Sequence, residues 1–181
     1  GNAQDFHIGL DDTADDLVIG LGSSLGTTTH MAFDETGAIT KPLQPGFLCT
    51  KAAQNNITNN VETTITWNAE VYDKNGDFNL GTETFTAPVT GNYYLCIKLQ
   101  LSNIDTASAY TQLRIHTSNR SYYGYADAQE FSADSDTDMG FSVIADMDAG
   151  DTALCKLNFA GGGADQSDIN VECWFNGYLI A

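Results

Sequence analysis

The sequence predicts an all-β sandwich, and three observations carry that expectation. Apolar and polar residues alternate over short runs, the period of a strand with one face buried. Clusters of Gly, Asn, Asp and Ser separate those runs. The 3.6-residue periodicity of an amphipathic helix is nearly absent.

Taken in order, residues 1–41 have a texture of their own: FHIGLDDTADDLVIGLGSSLGTTTHMAFDETGAI. Short β-runs at Phe6 to Leu10, Leu17 to Leu21 and Thr29 to Phe33 are broken by Asp-rich and Gly-rich turns. So short a segment cannot bury an apolar face by itself. It is either a linker or a β-rich shaft whose three copies intertwine. The alternation of Val18, Ile19 and Leu21 among glycines favours the shaft. Lys41-Pro42-Leu43-Gln44-Pro45 holds two of the three prolines, which stiffen the chain and cannot donate to a ladder. The junction is therefore placed here, with a head domain over 42–181.

Within the head, four runs alternate cleanly. They are Tyr93, Leu95, Ile97 and Leu99; Leu113 and Ile115; Cys155, Leu157 and Phe159; and Ile169, Val171, Cys173 and Phe175. Turns are expected at Lys74-Asn75-Gly76-Asp77, Ser118-Asn119-Arg120, Ala149-Gly150-Asp151 and Gly161-Gly162-Gly163. Many short strands at this spacing build a sandwich or a barrel.

Seven Lys and Arg stand against 24 Asp and Glu, a formal net charge of −17. Nucleic acid is a poor partner for such a chain, because binding rests on cations that neutralise phosphates. An anionic membrane is disfavoured for the same reason. Solubility is the plain use of this acidity; saline surroundings or divalent cations are the others. Cys49, Cys96, Cys155 and Cys173 are widely spaced, with no C-x-x-C pair for zinc or redox work. No stretch approaches the ~18 apolar residues of a spanning helix, and no signal peptide is visible. The chain opens on Gly1, so it is expected to be a fragment or a processed product.

Residues 67 to 97 carry a spaced series of bulky and turn residues: Trp67, Asp73, Phe78, Phe85, Gly91, Tyr93, Leu95 and Ile97. The spacing resembles the aromatic motif of the complement component one q head family, itself part of the tumour necrosis factor-like superfamily. The block Thr84-Phe85-Thr86-Ala87-Pro88-Val89-Thr90-Gly91-Asn92-Tyr93 is especially similar to it. Pro45-Gly46-Phe47 resembles the opening strand, and Asp148-Ala149-Gly150-Asp151 resembles the Gly-Asp turn before the penultimate strand. Trp174-Phe175-Asn176-Gly177-Tyr178-Leu179 resembles the closing strand. The departures are Trp67 for Phe and Leu95 and Ile97 for aromatics, all conserving apolar bulk. The resemblance covers about 42–181. It implies a ten-stranded jelly-roll sandwich that assembles as a homotrimer, with the Tyr93 and Phe175–Tyr178 strands contributing along the threefold axis. It also implies that Cys49, Cys96 and Cys173 lie in one sheet, either as buried free thiols or with Cys49 and Cys173 as a disulfide.

The pairing of an HIGLDDTADDLVIGLGS-type run with such a head is similar to phage virion fibre proteins. That resemblance implies a non-catalytic, receptor-binding head on the virion surface. Its partners would be itself, a host-surface glycan or protein, and other virion proteins through the N-terminal segment. A structural decoration or cement protein and a secreted bacterial adhesin are the alternatives.

Three groups of residues are candidate sites. Asn119, Arg120, Tyr122, Tyr123 and Tyr125 form a polar and aromatic cluster suited to sugars or proteins, unless the tyrosines merely cover the sandwich rim. Asp134, Asp136 and Asp138 alternate like the start of a calcium loop, but Met139 occupies the sixth position where such a loop needs Gly. This run is either a solvated acidic loop or a calcium site, and no cofactor other than calcium is expected. His7, His30 and His116 are isolated, and no G-x-S-x-G nucleophile elbow occurs. A catalytic role is not expected.

Overall fold

The computed structural model describes residues 5–131, 136–163 and 166–181. The chain divides into two compact units, residues 1–44 and 45–181.

The first unit is an antiparallel meander of β1 (Phe6–Asp11), β2 (Asp16–Leu21), β3 (Thr29–Phe33) and β4 (Ile39–Thr40), each strand paired with the next. Every strand finds its ladder partner within the same chain. Its turns follow from local side-chain chemistry. The Asp11 carboxylate accepts from the Thr13 N–H at 3.0 Å, and Asp15 turns through a left-handed φ of 57°. Likewise the Asp34 carboxylate accepts from the Thr36 N–H at 2.7 Å.

The second unit is a two-layer sandwich. One sheet runs β13 (Thr137–Met147), β10 (Gly91–Ser102), β16 (Trp174–Leu179), β5 (Gly46–Thr50) and β7 (Ala69–Asp73). The other runs β12 (Ser121–Ala126), β11 (Ser108–Thr117), β14 (Thr152–Gly161), β9 (Thr84–Thr86) and β8 (Phe78–Asn79). Two-residue strands β6 (Thr63–Thr64) and β15 (Asp168–Ile169) attach to β14 and β10. Alternation decides which residues face inward. Tyr93, Leu95, Ile97, Leu99 and Leu101 of β10 are buried, as are Leu113 and Ile115 of β11 and Cys155, Leu157 and Phe159 of β14. The run expected from Ile169 to Phe175 is broken. The Cys173 N–H bonds the Val171 carbonyl at 2.8 Å, a tight bend that leaves Val171 exposed and starts β16 at Trp174.

Aromatic rings fill the space between the sheets. Phe47 lies 4.7 Å from Phe85, 5.0 Å from Phe78 and 5.0 Å from Phe175, centroid to centroid. Trp67 stacks on Phe175 at 5.9 Å, and Tyr93 meets Phe85 at 5.5 Å. Each ring removed from water contributes roughly 1.5–3 kcal/mol. Two glycines are set by this packing. A Cβ on Gly177 would sit 2.7 Å from Leu95 Cδ2 and 2.8 Å from Phe47 Cε1, and one on Gly91 would sit 2.6 Å from the Ala181 carbonyl. Asp73 holds the turn that carries the chain from β7 in one sheet to β8 in the other, accepting from the Asp77 N–H at 3.0 Å and the Phe78 N–H at 2.8 Å. Pro88 lies between β9 and β10, where the strand ladder asks no N–H of it.

The long connection after β5 is held by a buried cation. Lys51 Nζ donates to Gln54 Oε1 at 2.6 Å and to the Thr66 carbonyl at 2.8 Å. Burial pushes the Lys51 ammonium down to about 8. All four cysteines are free; Cys49 lies on β5 and Cys96 on β10 of one sheet, and Cys173 immediately precedes β16. Burial pushes the Cys49 thiol up to about 12.

Candidate functional site

The sandwich offers two outer faces, and strand parity gives them different chemistry. On the β13-β10-β16-β5-β7 sheet, Tyr93 and Phe175 point inward, so Tyr94, Trp174 and Tyr178 point out. The Tyr94 and Tyr178 rings lie 5.2 Å apart, and Ile144, paired with Tyr94, stands exposed beside them. Leu48, Thr50, Tyr72, Trp174 and Asn176 line a shallow cleft of about 290 Å³. At one margin Lys98 lies 5.2 Å over the Trp174 ring and pairs with Asp138 at 2.7 Å.

The β12-β11-β14 face is polar and aromatic. Tyr123 and Tyr125 project outward from β12, and Tyr110 of β11 meets Tyr125 at 5.5 Å, giving a row of three rings. Polar groups fix the row. Gln112 Nε2 donates to the Tyr125 hydroxyl at 2.7 Å, and Arg114 Nη2 donates to the Tyr123 hydroxyl at 3.1 Å with its guanidinium 5.0 Å over that ring. Glu62 bridges Arg114 and Lys156. Burial raises the Glu62 pKa, but the Lys156 hydrogen bond and the two positive charges outweigh it, so its carboxyl sits below the ordinary value. Burial and the charges of Arg114 and Lys156 push the His116 imidazolium down.

The five residues of the sequence-derived cluster therefore separate. Tyr123 and Tyr125 share the outer face. Tyr122 turns inward and packs against the core. Asn119 and Arg120 sit at the end of the sandwich, where Arg120 pairs with Asp146 at 2.6 Å and Asn119 Nδ2 donates to the Asp146 carbonyl at 3.2 Å. There Thr90, Asn92, Asn119, Asp146 and Asp148 line a cleft of about 260 Å³. This is the end where the sandwich begins and finishes: Leu179 donates to the Pro45 carbonyl at 3.1 Å, and Asn92 donates to the Ala181 carbonyl at 2.7 Å. Tyr110, Gln112, Arg114, Glu62 and Lys156 join the tyrosines without having been singled out. The alternation of Gln112 and Arg114 with Leu113 and Ile115 was the available signal for two of them.

Asp134 lies outside the described residues. Asp136 accepts from Asn170 Nδ2 at 2.9 Å, whereas Asp138 pairs with Lys98. Among the described residues no group of three or more His, Cys, Asp or Glu gathers to hold a metal.

The two six-stranded sheets, their order and their aromatic core define a jelly-roll sandwich of the complement-one-q and tumour-necrosis-factor type. Residues 47–180 match the C1q domain, and the chain belongs to that family. Among solved structures, the globular domain of zebrafish complement 1qA is similar at a TM-score of 0.59 with 20% identity, covering 76% of this chain and 98% of that one. Murine APRIL at pH 5.0 is similar at a TM-score of 0.54 with 9% identity, covering 76% and 99%. None of the curated proteins matches the chain in sequence. Domains of this kind are typically non-enzymatic binding or structural domains.

Proposed function

We propose that this chain is the homotrimeric binding head of a virion fibre or spike, which takes hold of a glycan or protein on the host surface without catalysis. The observation that supports it most is the bare aromatic face of the β13-β10-β16-β5-β7 sheet. Ile144, Tyr178, Tyr72 and Trp174 are 61%, 47%, 43% and 41% exposed on a single chain, and Tyr94 and Leu48 lie among them. Contiguous apolar surface of this kind marks an association face, and heads of this family are typically trimeric. Packing this sheet around a threefold axis leaves the Tyr110–Tyr125–Tyr123 row turned outward for a ligand.

That row suits sugar or protein recognition, because its rings are flat and its hydroxyls are already held by Gln112 and Arg114. Three copies on one head multiply a weak single-site affinity. The virion setting is supported by the resemblance of the N-terminal run to fibre proteins, and that segment would attach the head to other virion proteins.

Light scattering on the whole chain, with and without a chelator, tests the assembly. The wild type is expected at three times the chain mass and Tyr178→Asp at one, with unchanged far-ultraviolet circular dichroism. A monomeric wild type sinks the proposal. Fluorescent trimer should then label host cells, and Tyr123→Ala with Tyr125→Ala should weaken labelling by at least tenfold. A trimer that labels no cells assigns the chain to structural decoration instead.

A further inference from the structure

The meander of the first unit has a single sheet, and its two faces are unlike. Strand register puts Phe6, Ile8 and Leu10 of β1 opposite Leu21, Ile19 and Leu17 of β2. Leu17 and Ile19 are in turn opposite Phe33 and Met31 of β3, and Phe33 is opposite Ile39 of β4. Paired residues share a face, so nine apolar side chains lie on one side of the sheet. The other side is covered by its own chain. Val18 and Ala32 are buried there, and Leu25, from the β2–β3 loop, lies where a Cβ on Gly9 would meet its Cδ1 at 3.0 Å.

Among the described residues, the nine-residue side has no such cover. Phe6, Ile8, Leu10 and Ile39 are 67%, 72%, 68% and 60% exposed. With Leu17 and Phe33 they present roughly 600 Å² of apolar surface, near the upper end for a monomer's largest patch and approaching one side of a standard interface. None of the nine is titratable. Asp11 and Asp16 pair with each other on the opposite side, and Asp12, Asp15, Asp34 and Glu35 lie in turns. His30 touches the patch edge-on at Phe6, with the ring centroids 6.0 Å apart.

We infer that this face is an assembly surface for further copies of this chain: three intact meanders press it together into an inter-chain core, without exchanging strands. The unit carries seven acidic residues from Asp5 to Glu35 against Lys41, and none of them is among the nine, so this is a face on which two like-charged copies can meet without apposing carboxylates. Two sheets with apolar inner faces pack about 10 Å apart, the ordinary sandwich geometry. The third copy rests on the proposed association of the heads, which would hold the tethered meanders at an effective concentration in the millimolar range.

The test uses the full chain carrying Ile8→Cys, with Thr13→Cys in the exposed β1–β2 turn as control and the wild type as baseline for the native thiols. Mild oxidation is expected to link Ile8→Cys chains to one another within the oligomer, and to leave Thr13→Cys chains unlinked. Without oxidant, a bulky maleimide should label position 8 at least tenfold more slowly than position 13. Equal labelling and no cross-link, in a protein of wild-type mass, overturns the inference while leaving the head trimer standing. Dissociation on Ile8→Asp with Leu10→Asp, but not on Tyr178→Asp, keeps this face as an assembly surface between copies, and overturns head-driven assembly together with the third copy that rests on it. Sedimentation of the wild type with phosphatidylcholine vesicles, lost on Ile8→Asp, assigns the face to lipid and also overturns it.

Discussion

In the head, Phe47 meets three other rings and has no contact with water; in the meander, Phe6 lies two-thirds exposed beside equally exposed Ile8 and Leu10. Both stretches read as alternating strands of similar apolar content. The difference is the number of layers. A sheet must bury its apolar face against a second layer, and the head brings its own while the meander has only Leu25 of the β2–β3 loop lying against Gly9. Alternation thus specifies a strand with a buried side, but not which molecule does the burying.

The sharpest way to break this contrast is to delete one ring from each region. Phe85→Ala should destabilise the head by about 3–5 kcal/mol, read as a lower urea midpoint at unchanged slope. Phe6→Ala under conditions that keep the chain monomeric should cost less than about 1 kcal/mol, since little surface leaves water there. Equal losses would show that the meander is covered within one chain.

Overpacking comes next. Gly177→Ala pushes a methyl into Leu95, Phe47 and the Tyr94 carbonyl at 3.0 Å, and is expected to cost about 1–3 kcal/mol in the same measurement. A neutral result would mean that β16 shifts easily against β10.

A smaller effect comes from Lys51. Its folded pKa of about 8 lies below the ordinary lysine value of 10.5, so between those limits the unfolded chain holds more protons. Its contribution to stability therefore rises with pH from about 8 to 10.5. Cys49 acts oppositely: its thiol is raised from 9.0 to about 12, so the stability of the neutral form is lost as pH climbs through that window. Comparing the wild type with Lys51→Met across pH 7 to 11 separates the two, and a constant difference between the proteins would refute the lysine assignment.

Smallest is Glu62→Gln, worth less than about 1 kcal/mol, because the pairs with Arg114 and Lys156 are partly wet. The Glu62 pKa is lowered, so this contribution is present above the ordinary carboxylate pKa and fades as pH falls through the folded value. A wild-type chain that loses nothing relative to Glu62→Gln between pH 6 and 3 would remove it.

The strands, their buried sides and the head's family were legible because each depends on residues close in sequence. The Trp67-to-Ile97 spacing and the alternation along β10 needed no knowledge of the other sheet. The binding faces were less legible. Tyr122, Tyr123 and Tyr125 are consecutive enough to look like one cluster, yet parity sends Tyr122 inward and the others outward. Tyr110 reaches Tyr125 only because β11 and β12 pair, and Glu62 reaches Arg114 across 52 positions. Asn119 and Arg120, three and two residues before Tyr122, belong to the end of the sandwich because β11 turns there. Register, not composition, draws those boundaries.

The neighbouring positions of β5 and β16 bear on how the head can be built into larger chains. Its first strand pairs with its last, and the Leu179 N–H reaches the Pro45 carbonyl. A short bridge between those ends would convert the head into a ring, which can be reopened at the exposed Asn75-Gly76 turn between the sheets without parting either of them. The same closeness lets the whole sandwich be spliced into a surface loop of another protein whose two sides stand only a strand apart. A recombining gene would find in it a cassette with one doorway.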